Sequence, residues 1–206
     1  MKRLIVLVPD KNTEHTLKGL LSRHQSFNIV PLSYRRDYDI FVHPERDPGV
    51  VRTSVNFLRA FQRQYEYAMV FFDFEGSGLE DQFLDAIENN LKSDLERSGW
   101  KDRVEVFGFY PELEIWAWVQ SNEMARIIGW EDVDRIRLFL KENGYWQEPN
   151  NKPHRPKEAF EHLLYEKRIQ RSSTIYEEIA QRVSFRNCSD RTFLKFKQTL
   201  NRWFSI

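Results

Sequence analysis

Six acidic residues in this sequence follow apolar runs in pairs. Asp10 and Glu14 come after Leu4–Val8, Asp73 and Glu75 after Ala68–Phe72, and Glu112 and Glu114 after Val104–Phe109. Carboxylates placed side by side at the end of a buried strand repel one another unless a proton or a cation intervenes. Hard oxygen donors from several strand ends suit Mg²⁺ or Mn²⁺, which take carboxylates and water. One such ion activates a water or orients a phosphodiester, and two stabilise both the attacking and the leaving oxygen. A competing reading is that acids gather at strand ends and helix N-termini because the helix dipole favours them there. Glu14 and Glu112 are open to that second reading, Asp73 and Glu75 less so.

The elements that would position these acids follow from the apolar pattern. Leu4–Val8 is a continuous run suited to a strand covered on both faces. Thr13 can cap a helix to about Ser22, and Phe27–Leu32 and Tyr38–Val42 read as further strands. His43–Gly49, with two prolines and a glycine, reads as a loop before a helix over Val50–Gln64. Tyr67–Asp73 is the central strand. On it Asp73 and Glu75 would share one face, and Gly76-Ser77-Gly78 break the run. Leu79, Phe83, Ile87, Leu91 and Leu95 predict a long helix ending near Gly99, before the strand Val104–Phe109. This alternation predicts an α/β fold with a mostly parallel sheet and flanking helices. Beyond it the pattern turns helical, with segments at Glu112–Gln120, Asn122–Ile128, Glu131–Lys141, Lys157–Lys167 led by Pro156, Ser173–Arg182 and Asp190–Trp203. The expected division is an α/β domain over residues 1–120 and a helical C-terminal region over 121–206 packed on it.

Composition narrows the classes. In 206 residues, 31 basic and 31 acidic side chains cancel, so overall charge does not by itself point to nucleic acid. A hydrophobic fraction of 41% is enough for a packed core. The single Cys188 excludes an intramolecular disulfide and multi-cysteine zinc sites, which fits a reducing cytoplasm. The apolar run after Met1-Lys2-Arg3 is too short for a signal peptide, and no stretch is long enough to span a bilayer, so a soluble, cytoplasmic protein is expected. There is no Walker loop, no Gly-x-Gly-x-x-Gly after the first strand, and no Gly-x-Ser-x-Gly elbow around Ser77.

Asp10-Lys11-Asn12-Thr13-Glu14 after the first strand, with Asp73-Phe74-Glu75-Gly76-Ser77-Gly78 after the central one, resembles a Toprim domain. Pro111-Glu112-Leu113-Glu114-Ile115-Trp116 and the helix start Pro156-Lys157-Glu158-Ala159 resemble phrases in Toprim-like proteins of bacterial anti-phage systems. As a whole the chain looks most like accessory proteins of methylation-associated defence systems. The resemblance implies a Mg²⁺-binding, phosphodiester-acting protein, a nuclease with nucleic acid and other defence proteins as partners. Asp10, Glu14, Asp73, Glu75 and Glu114 would then be its metal-binding and catalytic acids. Lys11, Arg46, Lys152, Arg155 and Lys157 would meet phosphate. Three positions depart from the family pattern. Asp10 replaces a glutamate, Lys11 a glycine, and Glu75 the second aspartate of the pair. These swaps leave a second class of function open, a catalytically inactive interaction or regulatory subunit.

Three weaker features complete the reading. His43, Glu45 and Asp47 alternate and would share a face in an extended segment, either beside a metal or in a proline-shaped polar loop. The six tryptophans read as core rather than as base-stacking platforms. Cys188 precedes a helix start but has no implied partner.

Overall fold

A computed structural model describes residues 1–118 and 121–206. Its centre is a parallel sheet in the order β2-β1-β3-β4, with β1 at Lys2–Val8, β2 at Tyr38–Val42, β3 at Tyr65–Asp73 and β4 at Val104–Phe109. The protein is an α/β fold. Alternation along the strands divides the sheet into two faces. Leu4, Val6, Val8, Met69, Phe71, Phe107 and Phe109 enter one core. Ile5, Leu7, Ala68, Val70, Phe72, Val104 and Val106 enter the other.

Helices α3 (Arg46–Arg59) and α4 (Leu84–Leu95) cover the second face. The first face lies against α1 (Lys11–Leu21) and against C-terminal helices, including α7 (Pro156–Glu166), α8 (Ser173–Arg182) and α9 (Arg191–Phe204). Phe196 of α9 packs its ring edge-on against Phe71 and Phe107. Helices α1 and α8 cross closely. A Cβ at Gly19 would stand 2.6 Å from the Glu177 carbonyl oxygen, so no larger residue fits that crossing. The helical half and the sheet therefore share one core.

Several expected elements are corrected. Phe27–Leu32 is not a strand: a short helix, α2 (His24–Phe27), takes its first residue, and Ile29 makes one antiparallel bridge to Ser205 at the far end of the chain. Helix α3 begins at Arg46, inside the expected loop. Pro48 falls in its first turn, where a missing N–H is tolerated, and the His43 ring packs against Gly49. Helix α4 starts at Leu84 rather than Leu79 and runs into a wider turn, Glu96–Trp100, which Gly99 ends at φ 115°. The expected helix over Glu112–Gln120 is only a tight turn over Leu113–Trp116, and its last residues, with the domain division at residue 120, lie outside the described residues. Helices α5 (Asn122–Ile127) and α6 (Val133–Glu142) follow expectation closely.

Trp100, Trp116, Trp118, Trp130 and Trp146 are buried. The indoles of Trp116, Trp118, Trp130 and Trp146 donate to Asp190 Oδ1 and to the carbonyls of Pro156, Leu163 and Asn150, so these rings are structural. No helix among the described residues is long and apolar enough to cross a membrane.

Candidate functional site at the carboxyl edge of the sheet

The register of β1 on β3 pairs Leu4 with Tyr67 and Leu7 with Val70. Continued beyond the strand end, that register sets Asp10 opposite Asp73. By alternation both follow the residues that face the helical half. Asp73 is the last residue of β3 and is buried. Its Oδ1 accepts from the Leu113 N–H at 2.9 Å, and its own N–H donates to Asp47 Oδ1 at 2.6 Å. Asp47 stands in the first turn of α3, so a side chain from the covering helix joins the strand end. Asp10 caps α1, where its Oδ1 accepts from the Thr13 N–H and hydroxyl at 2.8 Å each.

Glu112 and Glu114 enter from the turn after β4, and both are buried. Glu114 Oε1 accepts from the Tyr176 hydroxyl at 2.7 Å and from Arg171 Nη2 at 3.0 Å. Lys157 Nζ, from the first turn of α7, reaches Glu112 Oε2 at 2.9 Å. Above these acids lies an open cleft lined by Asp10, Lys11, Asn12, His43, Arg46, Lys157 and Arg171. Cationic side chains thus line the cleft beside an acidic interior.

Crowding and burial act together on these carboxyls. Burial, reinforced by Asp47, Glu114 and Asp10, pushes Asp73 well above the usual aspartate value. Asp47 is pushed up to about 6, chiefly by burial, with the charge of Asp10 adding to it and the Asp73 N–H opposing. Burial likewise raises Glu114 against the opposing pull of Tyr176 and Arg171, and raises Glu112 against Lys157.

The expected site residues divide. Asp10, Asp73 and Glu114 converge, with Lys157 beside them and Lys11 and Arg46 lining the cleft. Glu75 does not share a strand face with Asp73. Strand β3 has ended, the Glu75 N–H donates to the Pro111 carbonyl, and its side chain is exposed. Glu14 is occupied. Burial favours its neutral form, but Lys11 at 2.6 Å and Lys18 at 2.7 Å prevail and hold its carboxyl below the usual value. Lys152 Nζ donates to the Ile115 carbonyl at 2.7 Å, and the Arg155 guanidinium lies over the Tyr145 ring, 5.1 Å from its centre, so both have structural contacts. His43 Nδ1 accepts from the Glu45 N–H while Nε2 meets Thr53 Oγ1, the pattern of a neutral imidazole donating to the hydroxyl.

Ser77 is buried, with its hydroxyl accepting from the Leu79 N–H. The flanking Gly76 and Gly78 adopt φ 89° and 79°, and Glu80 Oε1 accepts from both their N–H groups. Burial raises the Cys188 thiol, which removes the case for a reactive thiolate.

Arg171 and Tyr176 were not among the expected site residues, and Asp47 was offered only within an extended His43–Asp47 segment, beside a metal or as a polar loop. Asp47 reaches Asp73 from the first turn of α3 rather than from an extended segment, and the other two depend on how α8 docks.

Among the described residues no three histidine, cysteine, aspartate or glutamate side chains are gathered into a ready-made metal cage. The donor set still fits Mg²⁺, which binds through one or two carboxylates and keeps the rest of its shell as water and substrate phosphate. Comparisons with protein-family models, with curated proteins and with solved structures gave no match to this chain.

Proposed function

We propose that this chain is a Toprim-like, Mg²⁺- or Mn²⁺-dependent protein acting on phosphodiesters, a nuclease component of a methylation-associated anti-phage defence system in the bacterial cytoplasm. The observation that carries the proposal is the burial of Asp73 among Asp47, Asp10 and Glu114 beneath a cleft lined by cationic side chains. Buried like charges are costly to hold together, and a divalent cation would relieve them.

Asp73 and Asp10 would hold the metal, which supplies charge neutralisation at the scissile phosphate and a more acidic bound water. Lys157, Arg171, Lys11 and Arg46 would draw phosphate oxygens into the cleft. Asp47, whose Oδ1 accepts from the Asp73 N–H, would stand beside the metal as the carboxylate that takes a proton from the attacking water. Tyr176 and Arg171 would fix the Glu114 carboxylate, keeping it from turning toward Asp73.

The test is hydrolysis of labelled DNA and RNA with Mg²⁺ or Mn²⁺ by the wild type, Asp73→Ala and Glu75→Ala. The proposal expects activity that Asp73→Ala abolishes and that Glu75→Ala, at an exposed position, reduces less. Equal activity in the wild type and Asp73→Ala would sink it.

A second reading is a Toprim-fold interaction or regulatory subunit without turnover. It is favoured by Glu114 being already engaged by Arg171 and Tyr176, and by the absence of a three-donor cage among the described residues. That reading expects the Asp73→Ala protein to assemble and function with its partners as the wild type does.

A further inference from the structure

Two large apolar side chains stand exposed near the carboxyl end of β4, and a third, Phe74, joins them to the core beneath. Phe83 is 86% exposed and Tyr110 62% exposed, a costly arrangement for rings of this size. Phe74, half-buried, packs its ring against Tyr110 with centroids 5.3 Å apart. Phe83 and Tyr110 line the same shallow recess, whose outer wall is Arg191 paired with Asp85.

The ledge is continuous with the acidic site. Phe74 directly follows Asp73, and Tyr110 lies two residues before Glu112, whose carboxylate meets Lys157 in the cleft. The Glu75 N–H bond to the Pro111 carbonyl ties the two segments together. Phe74 packs into the core on the sheet face opposite to the one that Phe71 and Phe109 enter, and Tyr110 packs on Phe74. A ligand crossing the sheet edge would therefore pass from cationic side chains, over the acids, onto aromatic rings.

We propose that this edge takes a single-stranded polynucleotide, with its phosphates on Lys157, Arg171 and Arg46 and a base stacked on the Phe83–Tyr110 ledge. The chemistry selects that ligand. Rings with free faces accept any base only when it is unstacked, and a duplex keeps its bases inside. The inference rests on the phosphodiester reading for the direction of the strand, but its test does not require turnover.

Binding of a fluorescent oligothymidylate is measured in EDTA, beside an oligouridylate, the matching duplex and an abasic strand of equal length. The wild type is expected to bind both single strands more tightly than the duplex or the abasic strand. Phe83→Ala with Tyr110→Ala should weaken single-strand binding about tenfold, leave the abasic strand unchanged, and be rescued by Tyr110→Trp. Both positions are exposed, so folding is not at stake. Equal affinity for abasic and base-bearing strands, unchanged binding by the double variant, or no binding by the wild type would overturn the proposal. So would a wild-type dimer that the double variant dissolves, which would assign the ledge to a second copy of the chain. Hydrolysis that fails while single-strand binding survives would sink the nuclease reading and leave this one standing.

Discussion

Buried carboxylates occupy two kinds of place in this protein. On the flanks of the sheet each has cations of its own. Glu105 of β4 meets Lys92 and Arg202 at 3.0 Å and Lys195 at 3.4 Å. Asp39 of β2 meets Lys2 at 2.5 Å and accepts from the Tyr65 hydroxyl. Burial alone would raise both carboxyls, yet the surrounding cations prevail and hold them below their usual values. At the carboxyl edge the balance is reversed. Asp73 and Asp47 face other acids, and both are raised. On the flanks, charge ties strand to strand at Asp39 and helices to the sheet at Glu105, whereas the edge keeps acids that the fold alone does not neutralise. Such a cluster is expected where a ligand supplies the missing charge.

The two regions should respond oppositely to substitution. The largest effect is expected at the edge, where Asp73→Ala should lower metal-dependent hydrolysis at least about 100-fold, measured as kcat/KM on a labelled strand. On the flank, Glu105→Ala should leave activity per folded molecule unchanged. It should destabilise the protein by about 1–3 kcal/mol in urea unfolding, a range reduced for the partial exposure of its cationic partners.

The pH dependence separates the regions further. An acid raised in the folded state, such as Asp47, favours the fold below its unfolded value near 3.8, and this contribution is lost as the pH rises through about 6. Asp47→Asn should therefore stabilise the metal-free protein at neutral pH by about 1–3 kcal/mol, and this gain should fade as the pH falls toward 4. Glu105 has the opposite sign. Its contribution is present above the ordinary glutamate value and is lost in acid as the pH falls through the lowered folded value. Thermal unfolding of wild type, Asp47→Asn and Glu105→Gln across this range would reveal the crossing. The smallest effect is expected from Lys157→Met, which should weaken oligonucleotide binding by about tenfold or less and flatten its salt dependence.

Much of the fold was legible because apolar runs and alternation report burial directly. Leu4–Val8, Tyr38–Val42, Tyr67–Asp73 and Val104–Phe109 all lie in strands, and the C-terminal helices start near their expected Ser, Asp and Pro positions. Phe27–Leu32 misled because Phe27 and Ile29 are buried by α9 and by the distant bridge to Ser205, neither visible locally. Pro48 and Gly49 suggested a loop because proline and glycine usually break helices, but here one sits in a first turn and the other makes room for His43. Asp10 and Asp73 were legible from strand ends alone. Asp47 was offered only as part of an extended polar segment, and Arg171 and Tyr176 were not legible, since α3 and α8 bring these groups to the edge by docking, a tertiary property. Glu75 was expected to pair with Asp73, but β3 stops at Asp73 itself.

The central claim is that a cation completes the carboxyl edge, and thermal unfolding of wild type and Asp73→Asn with and without Mn²⁺ tests it most directly. In EDTA near neutral pH, Asp73→Asn should melt higher than the wild type, because it removes a buried acid held among other acids. Saturating Mn²⁺ should raise the wild type by several degrees and leave Asp73→Asn unmoved. A Mn²⁺ shift equal in both proteins, or absent from the wild type, would contradict the account.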